Sequence, residues 1–195
     1  MLLTSLRRMK QHIGLVLVAV AGFVAYGIGV ESKWIWIYAP VSLMFTGLVF
    51  GFNRKAAFSN GLLAALAVVI VGNLAGGVLE VRGDILYMFE VAGGVQYDKV
   101  FHAVATGVAS WASWELLGTW GISRGRFLAA LMMGAGGGAF IEMFEFFGTK
   151  LLDTNVGGYD NNMLDLIANS TGSLVALLLV RYRKIGIGAE PFVME

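Results

Sequence analysis

Aspartate, glutamate and histidine recur at helical spacing in three segments that are otherwise apolar enough to cross a bilayer. Asp98 and His102 lie in YDKVFHAVATG, Glu142 and Glu145 in AFIEMFEFFG, and Asp165 and Asn169 in YDNNMLDLIANSTG. A carboxylate in hydrocarbon costs kilocalories even when it snorkels, so such residues face a shared polar interior with a partner and mark a site. Imidazole and carboxylate together suit zinc, manganese or magnesium. His102, Glu142, Glu145 and Asp165 are therefore the candidate ligands of a divalent cation, the candidate cofactor, which would polarise a phosphate or carbonyl or activate a water. Crowded acids have a second use, because they cannot all ionise and so share protons.

The spacing puts each set on one side of its helix. Asp98, His102 and Thr106 are i, i+4, i+8; Glu142 and Glu145 are i, i+3 with Gly138 one turn earlier; Asp165, Asn169 and Ser173 repeat the first pattern. Asn73, Gly77 and Glu80 offer a similar stripe on a neighbouring helix, and Asp160 lies just ahead of the last set.

The elements that carry these residues are membrane helices. The chain is 57% apolar and only 14% charged, with mean hydropathy +0.74, whereas a soluble domain carries about 25% charge. Stretches of about 20 apolar residues predict six helices, roughly 13–30, 34–52, 56–80, 98–120, 127–148 and 162–180, in one all-α integral membrane domain over 1–195. Arg7, Arg8 and Lys10 precede the first run like a signal peptide, but Ile13 to Val30 is longer than a signal core and lacks a small-residue cleavage site, so a retained helix is expected. Pro40 is tolerable near the start of the second helix. A net charge of +1 without a basic patch excludes nucleic acid as partner, leaving the lipid bilayer. The absence of cysteine excludes disulfides, thiolate nucleophiles and Cys-ligated metals.

Basic residues set the expected orientation. Arg7, Arg8, Lys10, Arg54, Lys55, Arg124, Arg126, Arg181, Arg183 and Lys184 fall on one side, and Lys33, Arg82, Lys99 and Lys150 on the other, ten against four. Both termini are thus expected in the cytoplasm of a cell whose plasma membrane holds the protein. At 1.5 Å per residue, His102, Glu142, Glu145 and Asp165 then all lie roughly 4 to 10 Å from the outer boundary, in one outward-opening pocket between helices four, five and six.

Other features have plainer explanations. Gly134 to Gly138 and Gly72 to Gly76 are small-xxx-small packing patterns, and neither leads into the Lys-Ser/Thr of a phosphate loop. Trp34, Trp36, Tyr38, Trp114 and Trp120 read as interfacial belts, Trp111 as packing, and Glu115 as a partner of Arg124 or Arg126.

Taken together, YDKVFHAVATG, IEMFEFF and YDNNMLDLIANSTGSLVALLL resemble the Asp-Lys-x-x-His, Glu-x-x-Glu/Gln and Asp-x-x-x-Asn-x-x-Gly succession of VanZ-like membrane proteins and the related YjdF-like family. The resemblance covers Tyr97 to Val180, the core over 97–180, and leaves 1–96 as variable N-terminal helices. By position it implicates Asp98, Lys99, His102, Glu142, Glu145, Asp165, Asn169 and Gly172, while Ala103 stands where an aromatic residue is usual. It implies a role at the cell envelope, with an envelope lipid or lipid-linked precursor as partner, and no settled reaction.

Three readings compete. The cluster binds a cation or the headgroup of an envelope lipid; or it is the centre of a metal-dependent hydrolase or transferase, for which one histidine is few; or Lys99, Lys150 and Arg82 neutralise the acids in a structural scaffold. Transport is disfavoured, since no inverted repeat is detectable.

Overall fold

A computed structural model describes residues 2–151 and 158–183. Lys184, used above for orientation, lies outside the described residues. The chain forms α1 (Leu2–Gly29), α2 (Ile35–Ala56), α3 (Asn60–Val78), a linking segment with two small hairpins, then α4 (Tyr97–Thr119), α5 (Arg126–Leu151) and α6 (Tyr159–Arg183). Met9–Gly29, Ile35–Arg54, Asn60–Val78, Arg126–Lys150 and Tyr159–Tyr182 are each long and apolar enough to cross a membrane.

Helix α4 is less apolar than these five, yet it runs antiparallel alongside α3. Near its start the Tyr97 hydroxyl donates to the Gly72 carbonyl, and near its end Glu115 receives the Ser59 amide. A helix packed along most of a membrane-spanning neighbour lies at the same depth in the bilayer. With 23 residues it measures about 34 Å, enough for a hydrocarbon core of about 30 Å.

Two boundaries differ from expectation. Helix α1 begins at Leu2, because its Arg-, Lys- and Gln-rich first turns are good helix formers with no glycine or proline before Gly14. Helix α3 stops at Val78, so Glu80 belongs to a strand and the stripe of Asn73, Gly77 and Glu80 does not exist. Ser59 starts α3 by accepting the Leu62 amide, a side-chain N-cap.

The link between α3 and α4 folds as hairpins β1–β2 (Glu80–Val81 with Asp84–Ile85) and β3–β4 (Glu90–Ala92 with Val95–Gln96), separated by a 3-10 turn at Leu86–Met88. Arg82 and Gly83 have φ of 56° and 90°, and Gly93 and Gly94 have 57° and 82°, the paired positive φ of two-residue hairpin turns. The turn between the hairpins drives Tyr87 into the bundle, where its ring fills the space a Cβ on Gly76 would need and its hydroxyl donates to Asn73 Oδ1 at 2.8 Å. Burial, with Tyr38 and Asp98 nearby, pushes this phenol well above its usual pKa, so it stays a neutral donor.

The helices pack as two triplets, α1–α3 and α4–α6, joined along α3 and α4. Val16, Val20, Ile35, Leu74 and Val78 form the core of the first, and Leu117, Ala130 and Leu177 close one end of the second. Phe140, Phe144, Phe147, Leu164 and Ile167 stand exposed on the outside of the second triplet, as lipid-facing residues do. Inside it the backbones approach closely. A Cβ on Gly172 would overlap the Ala103 carbonyl, one on Gly134 the Ser110 hydroxyl, and one on Gly138 the side chains of Asn169 and Thr106.

Candidate functional site

The starts of α4 and α6 and the last turns of α5 meet at one end of the second triplet. The polar stripe of α4 (Asp98, His102, Thr106), that of α6 (Asp165, Asn169, Ser173) and Glu142 of α5 are all buried there, Asp165 and Asn169 completely. Close glycine contacts allow this convergence. Gly172 brings α6 onto α4 and Gly138 brings α5 onto both, so short side chains reach across three helices.

His102 is held on both ring nitrogens. Nδ1 lies 3.1 Å from Glu142 Oε1 and 3.2 Å from Asn169 Oδ1, and Nε2 lies 3.4 Å from Asp98 Oδ1. The Asn169 amide donates to Glu142 Oε1 at 3.2 Å, which fixes its oxygen toward the imidazole. Three acceptors facing two ring nitrogens are satisfied when both nitrogens carry protons. Glu142 also receives Asn162 Nδ2, at its backbone oxygen (3.1 Å) and at Oε2 (3.4 Å).

Lys99 forms the second knot. Its Nζ is 2.7 Å from Asp98 Oδ2, 2.7 Å from Asp165 Oδ1 and 2.7 Å from Asn161 Oδ1. Asn161 in turn donates to Asp165 Oδ2 at 2.7 Å. Asp165 Oδ1 is held to Nζ by charge at 2.7 Å and accepts no well-aligned hydrogen bond. One turn deeper, Thr106 Oγ1 donates to the carbonyls of His102 and Asn169, at 2.8 and 2.9 Å, tying α4 to α6.

Asp98, Lys99, His102, Glu142, Asp165 and Asn169 thus come together as their spacing implies, and two expected members do not. Asp160 is exposed at the start of α6. Glu145 is half-buried and makes no hydrogen bond or ion pair among the described residues. Asn161 and Asn162 were missed, although they extend the polar face of α6 by one turn and a strict i+4 count run backward from Asp165 reaches Asn161. The open pocket is also corrected: the side chains of Lys99, His102, Asp98, Glu142 and Asp165 are only 13, 10, 8, 4 and 0% exposed, so the cluster is packed.

The candidate metal-ligand set differs from the expected one. One donor atom each from Asp98, His102 and Asp165 lie within 4.8 Å of one another, whereas Glu142 holds the other ring nitrogen of His102 and Glu145 is not in the trio. Of the three cations expected to neutralise the acids, only Lys99 does so; Arg82 lies over the Phe89 ring and Lys150 over Phe146.

At the opposite end of the bundle, Glu115 does not pair with Arg124 or Arg126. Its oxygens receive Ser59 N (2.7 Å), Ser59 Oγ (2.6 Å) and Trp111 Nε1 (2.8 Å), so it caps α3 and joins the two triplets. Arg126 instead donates to the Trp114 carbonyl and lies over that ring. Tyr38, expected in an interfacial belt, packs into the space beside Gly77.

A family model described as a predicted membrane protein (DUF2238) matches residues 11–185, nearly the whole chain. No curated protein and no solved structure matches.

Proposed function

Since the chain belongs to the DUF2238 family of predicted membrane proteins, we propose that it is a plasma-membrane protein whose α4–α6 cluster binds a cation or the cationic headgroup of an envelope lipid or lipid-linked precursor. The ten-to-four distribution of basic residues supports a cytoplasmic location for both termini and hence an outward position for the cluster. The likeness of residues 97–180 to VanZ-like and YjdF-like proteins supports an envelope role.

The observation that carries this reading is a surplus of negative charge. Among the described residues, Asp98, Glu142 and Asp165 face two cations, Lys99 and His102, and Glu145, one turn along α5 from Glu142, makes no ion pair. Unbalanced charge in a nearly sealed interior is costly, and an arriving cation relieves it. Glu145→Gln is the cleanest test, because it removes charge and breaks no hydrogen bond or ion pair among the described residues. Thermal unfolding of the purified wild type should shift upward with manganese, magnesium or ethanolamine-headgroup lipid, and Glu145→Gln should be at least as stable as wild type but respond several-fold less. A full response in the variant, or none in wild type, would overturn the reading.

A metal-dependent hydrolase or transferase is the second reading, and the Asp98, His102 and Asp165 trio favours it. A third, purely structural role draws on Lys99, whose ammonium already pins α4 to α6.

A further inference from the structure

The surroundings of Lys99 describe a cation site more closely than an ordinary ion pair. Three oxygens from two helices lie at one distance, 2.7 Å, from its Nζ: Asp98 Oδ2, Asp165 Oδ1 and Asn161 Oδ1. Hard divalent cations take such carboxylate and amide oxygens at about 2.0–2.6 Å, so only a few tenths of an ångström separate the two coordinations. The oxygens are also positioned without help from the lysine. Asn161 is oriented by donating to Asp165 Oδ2, and Asp98 is faced by His102 on its other oxygen.

A second, independent observation points the same way. Asp165 is completely buried, and its Oδ1, aimed at this point, accepts no aligned hydrogen bond. The ammonium supplies charge there without supplying a directed proton. A spherical cation has no such directional demand.

We infer that Lys99 is a tethered cation seated in a latent divalent-cation site built from Asp98, Asp165 and Asn161, and that an ion enters only when the lysine withdraws. The inference rests on the cation-binding reading above and adds its regulation. Two cations cannot share a space about 3 Å wide, so occupancy is exclusive. Exchange improves the charge balance, since a divalent ion brings one more positive charge than the ammonium it replaces. Lys99 is the most exposed member of the cluster, stands in the first turn of α4 and has a flexible four-carbon stem, so withdrawal needs movement of one side chain at the end of the bundle.

The test is to titrate purified full-length wild type, Lys99→Gln and Lys99→Gln/Asp165→Asn with manganese, magnesium and calcium, reading thermal unfolding and, for manganese, its paramagnetic signal. Lys99→Gln should respond at ion concentrations at least tenfold lower than wild type, and the double variant, which restores the original charge difference, should fold and lose that gain. If Lys99→Gln folds only with manganese present, that is the same result in stronger form. A Lys99→Gln protein no more responsive than wild type, or one left unfolded with manganese present, overturns the inference. The two proposals fail separately. A gain in Lys99→Gln with a wild type that answers to neither ions nor lipid keeps the latent site and removes the binding function; a responsive wild type without the gain does the reverse.

Discussion

Asp165→Asn probes the site through a ring of three side chains in which hydrogen-bond direction is over-determined. Lys99 can only donate, so Asn161 and residue 165 must both turn an oxygen toward it. In wild type the remaining Asp165 oxygen accepts from the Asn161 amide at 2.7 Å. With asparagine at 165, two amide groups face each other there, and flipping either one moves the clash onto Lys99. One donor is therefore always left buried and unsatisfied, at about 1–3 kcal/mol, and exchanging a charged acceptor for a neutral one costs about 1 kcal/mol more. Removing one surplus negative charge works in the opposite direction. The net expectation is a loss of about 2–3 kcal/mol, a roughly 30- to 150-fold fall in the folding equilibrium. Glu142→Gln is the matched control. Its oxygen can still accept from His102 and Asn169, and Asn162 keeps the Glu142 backbone carbonyl at 3.1 Å, so its loss should stay near 1 kcal/mol. Denaturant titration in detergent, followed by tryptophan fluorescence, gives both values. An Asp165→Asn protein as stable as Glu142→Gln would refute the ring as the determinant of the site.

Three further outcomes are expected. Gly172→Ala should lower stability by about 1–3 kcal/mol, because its methyl group overlaps the Ala103 carbonyl, while Gly136→Ala, with nothing within 4 Å, should be neutral; equal melting temperatures would contradict the close packing of α4 on α6. Tyr87→Phe should cost about 1 kcal/mol by leaving Asn73 Oδ1 without its donor, measured by the same unfolding assay. In intact cells an impermeant thiol reagent should label Asp160→Cys and spare Trp120→Cys, both exposed positions at opposite ends of the second triplet; the reverse pattern would invert the orientation.

The six helices were legible because hydropathy over about 20 residues needs no tertiary information. The hairpins between α3 and α4 were not, because an apolar run read to residue 80 took in the start of the first strand and the strands that follow are only two or three residues long. The local signals were present in VRGD and AGGV, each with a two-residue turn between short flanks. Those hairpins also explain why Asn73 has no carboxylate companion. Its partner is the Tyr87 hydroxyl, brought back from the link by a turn that helical periodicity cannot describe. Glu115 misled for a related reason. Sequence proximity to Arg124 and Arg126 suggested a local ion pair, but the N-terminus of α3 offers an amide and a hydroxyl in fixed positions, which satisfy a carboxylate better than a mobile guanidinium.

Within the site, spacing found the stripes but not their edges. Residues four apart differ by about 40° around a helix and residues three apart by about 60° in the other direction, which is enough to separate Glu142, bonded to His102, from Glu145, left half-buried at the margin. Lys99 follows Asp98 by one residue and so lies about 100° off the stripe. A count by spacing assigns it to another face, yet its long stem carries the charge back to Asp98 and across to Asp165. That reach decides what the cluster is. With the lysine in place, the oxygens of the two aspartates and Asn161 hold two helices together. In the proposed exchange, scaffold and binding site become two occupancies of one cage, and the position of a single ammonium group selects between them.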